Sequence, residues 1–229
     1  MRRAVALLSG GLDSATAAAI ALADGYHLHA LSFDYRQRHL RELDSARRVG
    51  EDLGILDHKF ISFDLRQWGG SALTSDWELP QDRTDQEMVS TIPVTYVPAR
   101  NTIFLSFALA YAEVVGADTL IAGMNQIDYS GYPDCRGEFL EAFEMLANLA
   151  TKAGTEGTTR FRVWAPLLNM TKVETIRRGL ELGVDYGSTW SCYSGDELAC
   201  GRCDSCVLRL KAFRSLGVED PLRYARDLA

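Results

Sequence analysis

No stretch of this 229-residue sequence approaches the length of a membrane span. The opening MRRAVALLSGG pairs two arginines with an apolar run, but that run covers only Ala4 to Leu8 and no small-residue cleavage site follows. A secretory leader does not fit, and a cytoplasmic location is expected. Low-complexity tracts and long charge runs are missing, which argues against disorder. Basic residues are outnumbered, 24 against 31 acidic ones, for a net charge of -7. Such a surface repels phosphate backbones, so no nucleic-acid partner and no membrane partner is expected; a local basic site for one small anion remains compatible. Cysteines number only five, and four of them crowd between positions 192 and 206. An odd count in one cluster argues against a disulfide framework and for a metal site.

What is present is a rhythm of apolar runs and helical patterns. Strands are predicted at Arg3 to Leu8, Leu28 to Phe33, His58 to Phe63, Thr119 to Ala122 and Phe161 to Ala165. Helices are predicted at Asp13 to Asp24, Leu40 to Leu53, Thr102 to Val115, Glu138 to Lys152, Thr171 to Leu182 and Val207 to Leu216. Thr171 followed by Glu174 is a capping box. Residues 64–99, with Gly69-Gly70 and three prolines, break the rhythm and read as a long loop forming an active-site wall or a subunit contact. Repeated β–α units imply an α/β fold, a Rossmann-like parallel sheet flanked by helices. The expected organisation is a catalytic α/β core over 1–185 and a C-terminal metal-binding and helical segment over 186–229, packed as one unit.

Ser9-Gly10-Gly11-Leu12-Asp13-Ser14 lies between the first strand and the first helix. Two glycines let the backbone turn sharply and approach a bound group. The N–H groups and dipole of the following helix favour an anion, and two serine hydroxyls add donors. Asp13 repels phosphate unless it holds Mg²⁺ that bridges phosphate oxygens. The Gly-Lys-Ser/Thr ending of a Walker A loop is missing. The string resembles instead the PP-loop of the N-type ATP pyrophosphatases, which bind ATP and adenylate a substrate oxygen.

Cys192, Cys200, Cys203 and Cys206 have the spacing C-x7-C-x2-C-x2-C. Four thiolates close a tetrahedral zinc site with no open position, so the site is structural. An iron–sulfur cluster is the competitor, but such runs continue to a fourth cysteine and a proline, and here Val207-Leu208-Arg209 follows.

Other polar groups are less decided by local pattern. The segment from Asp128 to Arg136 combines aromatic faces for a planar base, carboxylates for its N–H groups and an arginine for a substrate carboxylate. The same composition also makes a surface turn. Arg100 near a helix start could meet a phosphate, but its local pattern favours a surface arginine beside a cap; Lys172 in a first helical turn suits a phosphate or plain solvation equally. His39 suits proton transfer or a plain loop histidine; Cys135 could be a nucleophile, but nothing local to it lowers its pKa, and covalent catalysis is not expected.

SGGLDSAT, SFDY with QRH, YVPARNTIFLS, DYSGYPDCR, DYGSTWSCY and CGRCDSC run in order along nearly the whole chain. Together they resemble the 7-cyano-7-deazaguanine (preQ0) synthase family of queuosine biosynthesis, within the PP-loop group of adenine nucleotide alpha hydrolase-like folds. That resemblance implies a ligase forming carbon–nitrogen bonds. It joins 7-carboxy-7-deazaguanine, ammonia and ATP through an adenylated carboxylate and then an adenylated amide. It further implies ATP with Mg²⁺ along Leu8, Ser9, Gly10, Gly11, Leu12, Asp13, Ser14, Ala15, Thr16, Ala17 and Ala18, with Phe33 and Gly123. Catalytic roles fall to Asp13, Ser14, Arg100 and Lys172. Substrate contacts fall to Asp128, Tyr129, Ser130, Tyr132, Asp134 and Arg136. Zn²⁺ falls to the four cysteines, and a homodimer is implied. The alternative is another PP-loop enzyme acting on a different nucleobase or tRNA. Arg36 departs from the family string, which has glycine there.

Overall fold

A computed structural model describes residues 2–38, 41–90, 92–127, 131–194 and 197–225. Strand β1 (Arg2–Leu7) leads into helix α1 (Leu12–Ala23), then β2 (Tyr26–Asp34), α2 (Arg41–Asp52) and β3 (Asp57–Ser62). After α3 (Asp85–Ser90) come α4 (Arg100–Val115), β4 (Thr119–Ile121), a 3₁₀ turn at Pro133–Cys135, α5 (Gly137–Ala150) and α6 (Lys152–Thr155). Strand β5 (Arg162–Trp164), α7 (Lys172–Glu181) and α8 (Asp204–Leu216) complete the order.

The five strands form one sheet in the order β3-β2-β1-β4-β5, with every pairing parallel. Parallel neighbours need crossover helices, and right-handed crossovers place helices on opposite faces once the winding direction reverses. The reversal falls between β1 and β4. On one face Ala4, Ala6, Leu28, Ala30 and Ile121 pack with α1, α7 and α8 through Ala17, Ala18, Ile176 and Phe213. On the other, Val5, Leu31, Phe33 and Leu120 pack with α4 and α5 through Leu105, Ala108, Leu140 and Phe143. Successive strand residues point to opposite faces, so these alternating sets follow from a sheet covered on both sides.

The expected helices and strands appear with ends shifted by a few residues. The helix expected from Thr102 begins at Arg100, so Arg100 stands in its first turn. The residue before it, Ala99, is left-handed at φ 54. The helix expected from Val207 begins at Asp204, extending over Cys206. Within 64–99 the short helix α3 forms where a loop was expected. The expected capping box is present: Glu174 N donates to Thr171 Oγ1, and Thr171 N donates to Glu174 Oε2 at 2.7 Å.

The C-terminal strap is tied down by a buried ion pair. Arg209 reaches both oxygens of Asp220 at 2.7 and 2.8 Å, and also donates to Thr189 Oγ1 and Tyr186 O. Both side chains are almost fully buried. No described helix is long and apolar enough to cross a membrane.

Candidate active site

A cavity of about 250 Å³ opens at the carboxyl ends of β1 and β4. This is the switch point of the sheet, where flanking crossovers part and leave a crevice. Leu8, Ser9, Gly11, Leu12, Asp13 and Ser14 form its floor. Gly10 turns the chain at φ 82, and a Cβ there would lie 2.4 Å from Ala46 N and from the Glu42 carbonyl. Only glycine lets the loop sit this close to α2. Gly123 plays the same part from β4, since its Cβ would fall 2.8 Å from Ser14 N.

No side chain caps α1 at Gly11. Its first amides are therefore donors available to an anion. Ser9 Oγ and Ser14 Oγ are 3.0 Å apart, and Ser14 Oγ donates to Gly11 O at 3.0 Å. Asp13 meets Lys172, whose Nζ lies 2.7 and 2.8 Å from its two carboxylate oxygens. Both groups stand in first helical turns, of α1 and α7. A cation at a helix N-terminus is unfavourable by itself, and Asp13 offsets it.

The opposite wall is aromatic and basic. Phe33 and Phe104 stack with ring centroids 4.2 Å apart and planes 11° apart. Arg100 Nη1 donates to Tyr35 Oη at 3.5 Å. Arg38, Glu42, Thr95, Asn101, Asn125, Tyr132, Trp190 and Tyr193 also line the space. Burial pushes the Glu42 carboxyl up to about 7; Arg100 opposes the shift and Cys192 adds to it. Burial likewise pushes the Cys135 thiol up to about 12, which leaves it unsuited to nucleophilic attack.

The candidate residues divide. Of the expected nucleotide set, Leu8, Ser9, Gly11, Leu12, Asp13, Ser14, Phe33 and Gly123 line the cavity. Gly10 supports the loop from behind. Ala15, Thr16, Ala17 and Ala18 are buried in α1, where Thr16 Oγ1 lies 2.8 Å from Tyr186 Oη. Arg100 lines the cavity, and Lys172 joins it through Asp13. Of the expected substrate set, Tyr132 lines it and is held by Thr95 Oγ1 at 2.6 Å. Asp134 is buried behind the wall, accepting from Asn101 N at 3.2 Å, and Arg136 is exposed at the start of α5. His39, Asp128, Tyr129 and Ser130 lie outside the described residues. Glu42, Tyr35 and Asn101 were not singled out from sequence. In α2 the helical spacing marks Leu43 and Ala46, and it gives no signal for the neighbouring Glu42.

The four cysteines gather beside this wall. Their sulfur atoms all lie within 4.8 Å of one another. Cys200 Sγ and Cys206 Sγ are 4.0 Å apart, near the edge of a tetrahedron with metal–sulfur bonds of about 2.3 Å. Amides turn toward the sulfurs: Cys200 N to Cys192 Sγ at 3.2 Å, and Cys203 N to Cys200 Sγ at 3.3 Å. Hydrogen bonds from Cys200, Cys203 and Cys206 hold the Cys192 thiol far below its ordinary range. The donor set fits a metal that takes four thiolates. The strap reaches the Ser9–Ser14 loop through Trp190, whose backbone N–H donates to Gly10 O at 2.8 Å.

A family model described as queuosine biosynthesis protein QueC matches residues 3–217. A curated protein of Syntrophotalea carbinolica is 59% identical over 229 residues, covering 99% of this chain and 98% of its own. One of Myxococcus xanthus is 58% identical, covering 99% of each chain, and one of Geobacter metallireducens is 58% identical, covering 98% and 94%. All three are named 7-cyano-7-deazaguanine synthase. Among solved structures, a predicted subunit of tRNA methyltransferase from Methanocaldococcus jannaschii aligns over 100% of this chain and 94% of its own. Its TM-score is 0.50 at 15% identity, a likeness of fold.

Proposed function

This chain belongs to the QueC family of queuosine biosynthesis proteins, and on that premise we propose how its cavity makes 7-cyano-7-deazaguanine. The observation that carries the reading is the uncapped N-terminus of α1, with Asp13 and Lys172 paired at its mouth, facing a stacked aromatic wall across one cavity. The loop over Ser9–Ser14 receives the triphosphate of ATP. Phe33 and Phe104 offer flat apolar surface to a planar base.

The substrate 7-carboxy-7-deazaguanine is adenylated on a carboxylate oxygen, and pyrophosphate leaves. Ammonia then displaces AMP and leaves an amide. A second adenylation of the amide oxygen lets AMP leave again, giving the nitrile. Both halves need an oxygen turned into a leaving group, so one adenylating site serves both. Arg100 and Lys172 supply positive charge for phosphate oxygens as negative charge develops. Asp13 is the carboxylate that a nucleotide-borne Mg²⁺ would meet, and that ion supplies charge neutralisation for the departing pyrophosphate. Zn²⁺ is assigned to the four cysteines as a structural cross-link. Tyr132 is assigned to the deazapurine; Asp134 holds Asn101, another residue of the wall, from behind.

We further assign a cytoplasmic homodimer, with free ammonia as nitrogen donor. Met145, Leu146 and Leu149 leave an exposed apolar row on α5, which a second copy would cover. A Leu149→Glu variant that keeps the wild-type mass in solution would count against that face.

The central test is incubation with ATP, Mg²⁺, ammonium and 7-carboxy-7-deazaguanine, followed by mass spectrometry. A nitrile with two AMP per product, both abolished by Asp13→Ala, supports the reading. ADP as product, or no nitrile from zinc-loaded protein, would sink it.

A further inference from the structure

We propose that Glu42 is the proton acceptor for the ammonia-dependent half of the reaction. The inference rests on the reading of the cavity as the reaction centre, and it names a residue in no motif read from the sequence. Glu42 stands in the first turn of α2 and lines the cavity. Its own carbonyl lies close against the Gly10 turn, where an added Cβ would come within 2.4 Å of it. The neighbouring Arg41 guanidinium lies 4.3 Å from the Trp190 ring, which fixes this end of the helix against the strap.

The other acids near the cavity are engaged or set back from it. Asp13 gives both oxygens to Lys172. Asp134 lies behind the wall and outside the lining; one oxygen accepts from Asn101 N, and the other is buried without a hydrogen-bond partner among the described residues. The Cys135 thiol is pushed up by burial and takes an Asn101 N–H at 3.4 Å. Burial raises Tyr35 and Tyr132 as well. Among the described residues, the Glu42 carboxylate makes no hydrogen bond and no ion pair. The charged and titratable groups that act on it are Arg100 from α4, Tyr35 beyond β2 and Cys192 in the strap; Arg38 lines the same cavity. Burial lifts its carboxyl to about 7. An acid titrating near the working pH both takes and returns protons.

The chemistry releases protons that need such a group. When ammonia attacks the acyl adenylate, its lone pair forms the C–N bond. The C–O bond to AMP breaks, AMP leaves with the electron pair, and the extra proton on nitrogen passes to Glu42. Adenylation of the amide oxygen leaves two protons on nitrogen: the first passes to Glu42, which returns it to water, and when the resulting imidate collapses the C–O bond breaks, AMP leaves with the electron pair, the C≡N bond forms and the last N–H proton goes to Glu42. Adenylation of the carboxylate releases no proton from nitrogen and does not need Glu42.

The test separates the two halves in E42Q, a near-isosteric change. Pyrophosphate release from ATP and the carboxylic acid, without ammonium, is expected to stay near the wild-type rate. Nitrile formation with ammonium is expected to slow on the order of 100-fold, and its pH profile to lose the limb near neutrality. E42D restores a carboxylate and is expected to recover part of the rate together with the limb. Wild-type nitrile formation and pH profile in E42Q would overturn the proposal. So would an equal fall of pyrophosphate release and nitrile formation in both variants, which marks a role in binding or folding. A wild-type protein that releases no pyrophosphate and makes no nitrile would overturn the underlying reading of the cavity, whatever E42Q does.

Discussion

The two sides of the cavity are built in opposite ways. One side is six consecutive residues, Ser9 to Ser14, whose donors are backbone amides and whose shape is set by Gly10. The other gathers Tyr35, Glu42, Arg100 and Trp190 from four separate segments. The first needs only a strand, a tight turn and a helix. The second exists only when loop, helices and strap are all in place. A contiguous site breaks when its backbone is disturbed; an assembled one breaks when a distant tie is cut.

Cutting the ties is expected to have the largest effect. Stripping metal from the cysteines, or the Cys203→Ser change, removes a cross-link whose free energy in zinc-finger peptides is about 10–16 kcal/mol. The strap then releases Trp190 and its bond to Gly10. Exposure of the buried Trp190, followed by fluorescence, and loss of pyrophosphate release are expected together. Unchanged turnover in metal-free protein would show that the assembled wall stands without it.

Next comes the buried pair of Arg209 and Asp220, with side chains 2% and 3% exposed. Arg209→Met leaves Asp220 buried without its guanidinium and is expected to cost about 3–5 kcal/mol in denaturant melts. The exposed pair Arg66–Asp76 is the control: Arg66→Ala is expected to cost less than about 1 kcal/mol.

The contiguous side is broken through its backbone. Gly10→Ala forces a Cβ into the α2 backbone and is expected to cost about 1–3 kcal/mol, beyond about 1–2 kcal/mol for the left-handed φ itself. Gly25→Ala has a similar φ of 81 and no atom within 4 Å, so it carries the φ cost alone. Equal melts for the two variants would deny the close approach of loop and helix.

Smaller effects sharpen the contrast. Glu42 has its pKa raised from 4.5 to about 7 in the folded chain. Between those values the folded protein holds a proton that the unfolded chain releases. Its contribution is therefore full below about pH 4.5 and is lost as pH rises through 7. Glu42→Gln should flatten that decline, measured as melting temperature against pH. The smallest change is expected at Arg36, left-handed at φ 61. Arg36→Gly relieves that conformation but loosens the unfolded chain, for a net gain of less than about 1 kcal/mol.

Much of the fold was legible because strand and helix periods are local. The β–α rhythm marked all five strands and the main helices, with Arg100 and Cys206 drawn into helices that begin earlier than expected. Arg36 shows the limit from the other side. Its departure from a family glycine was visible in the sequence, but the left-handed backbone behind that glycine needed coordinates. Asp134 and Arg136 belong to a segment whose composition suits a base site and a surface turn alike; in the structure Asp134 is buried behind the wall and Arg136 is exposed. Composition cannot tell which way a turn presents its side chains.

By itself, the sequence determined the parallel α/β architecture, the glycine turn between the first strand and the first helix, and the four-cysteine cluster. Each is written in adjacent residues whose spacing carries the geometry. Only the tertiary structure decided that Lys172 meets Asp13, that Phe33 stacks on Phe104, and that Glu42 faces the cavity with Arg100 acting on it. Those relations join residues far apart in the chain. They follow from the reversal of sheet winding between β1 and β4, which leaves one crevice where separate segments must converge.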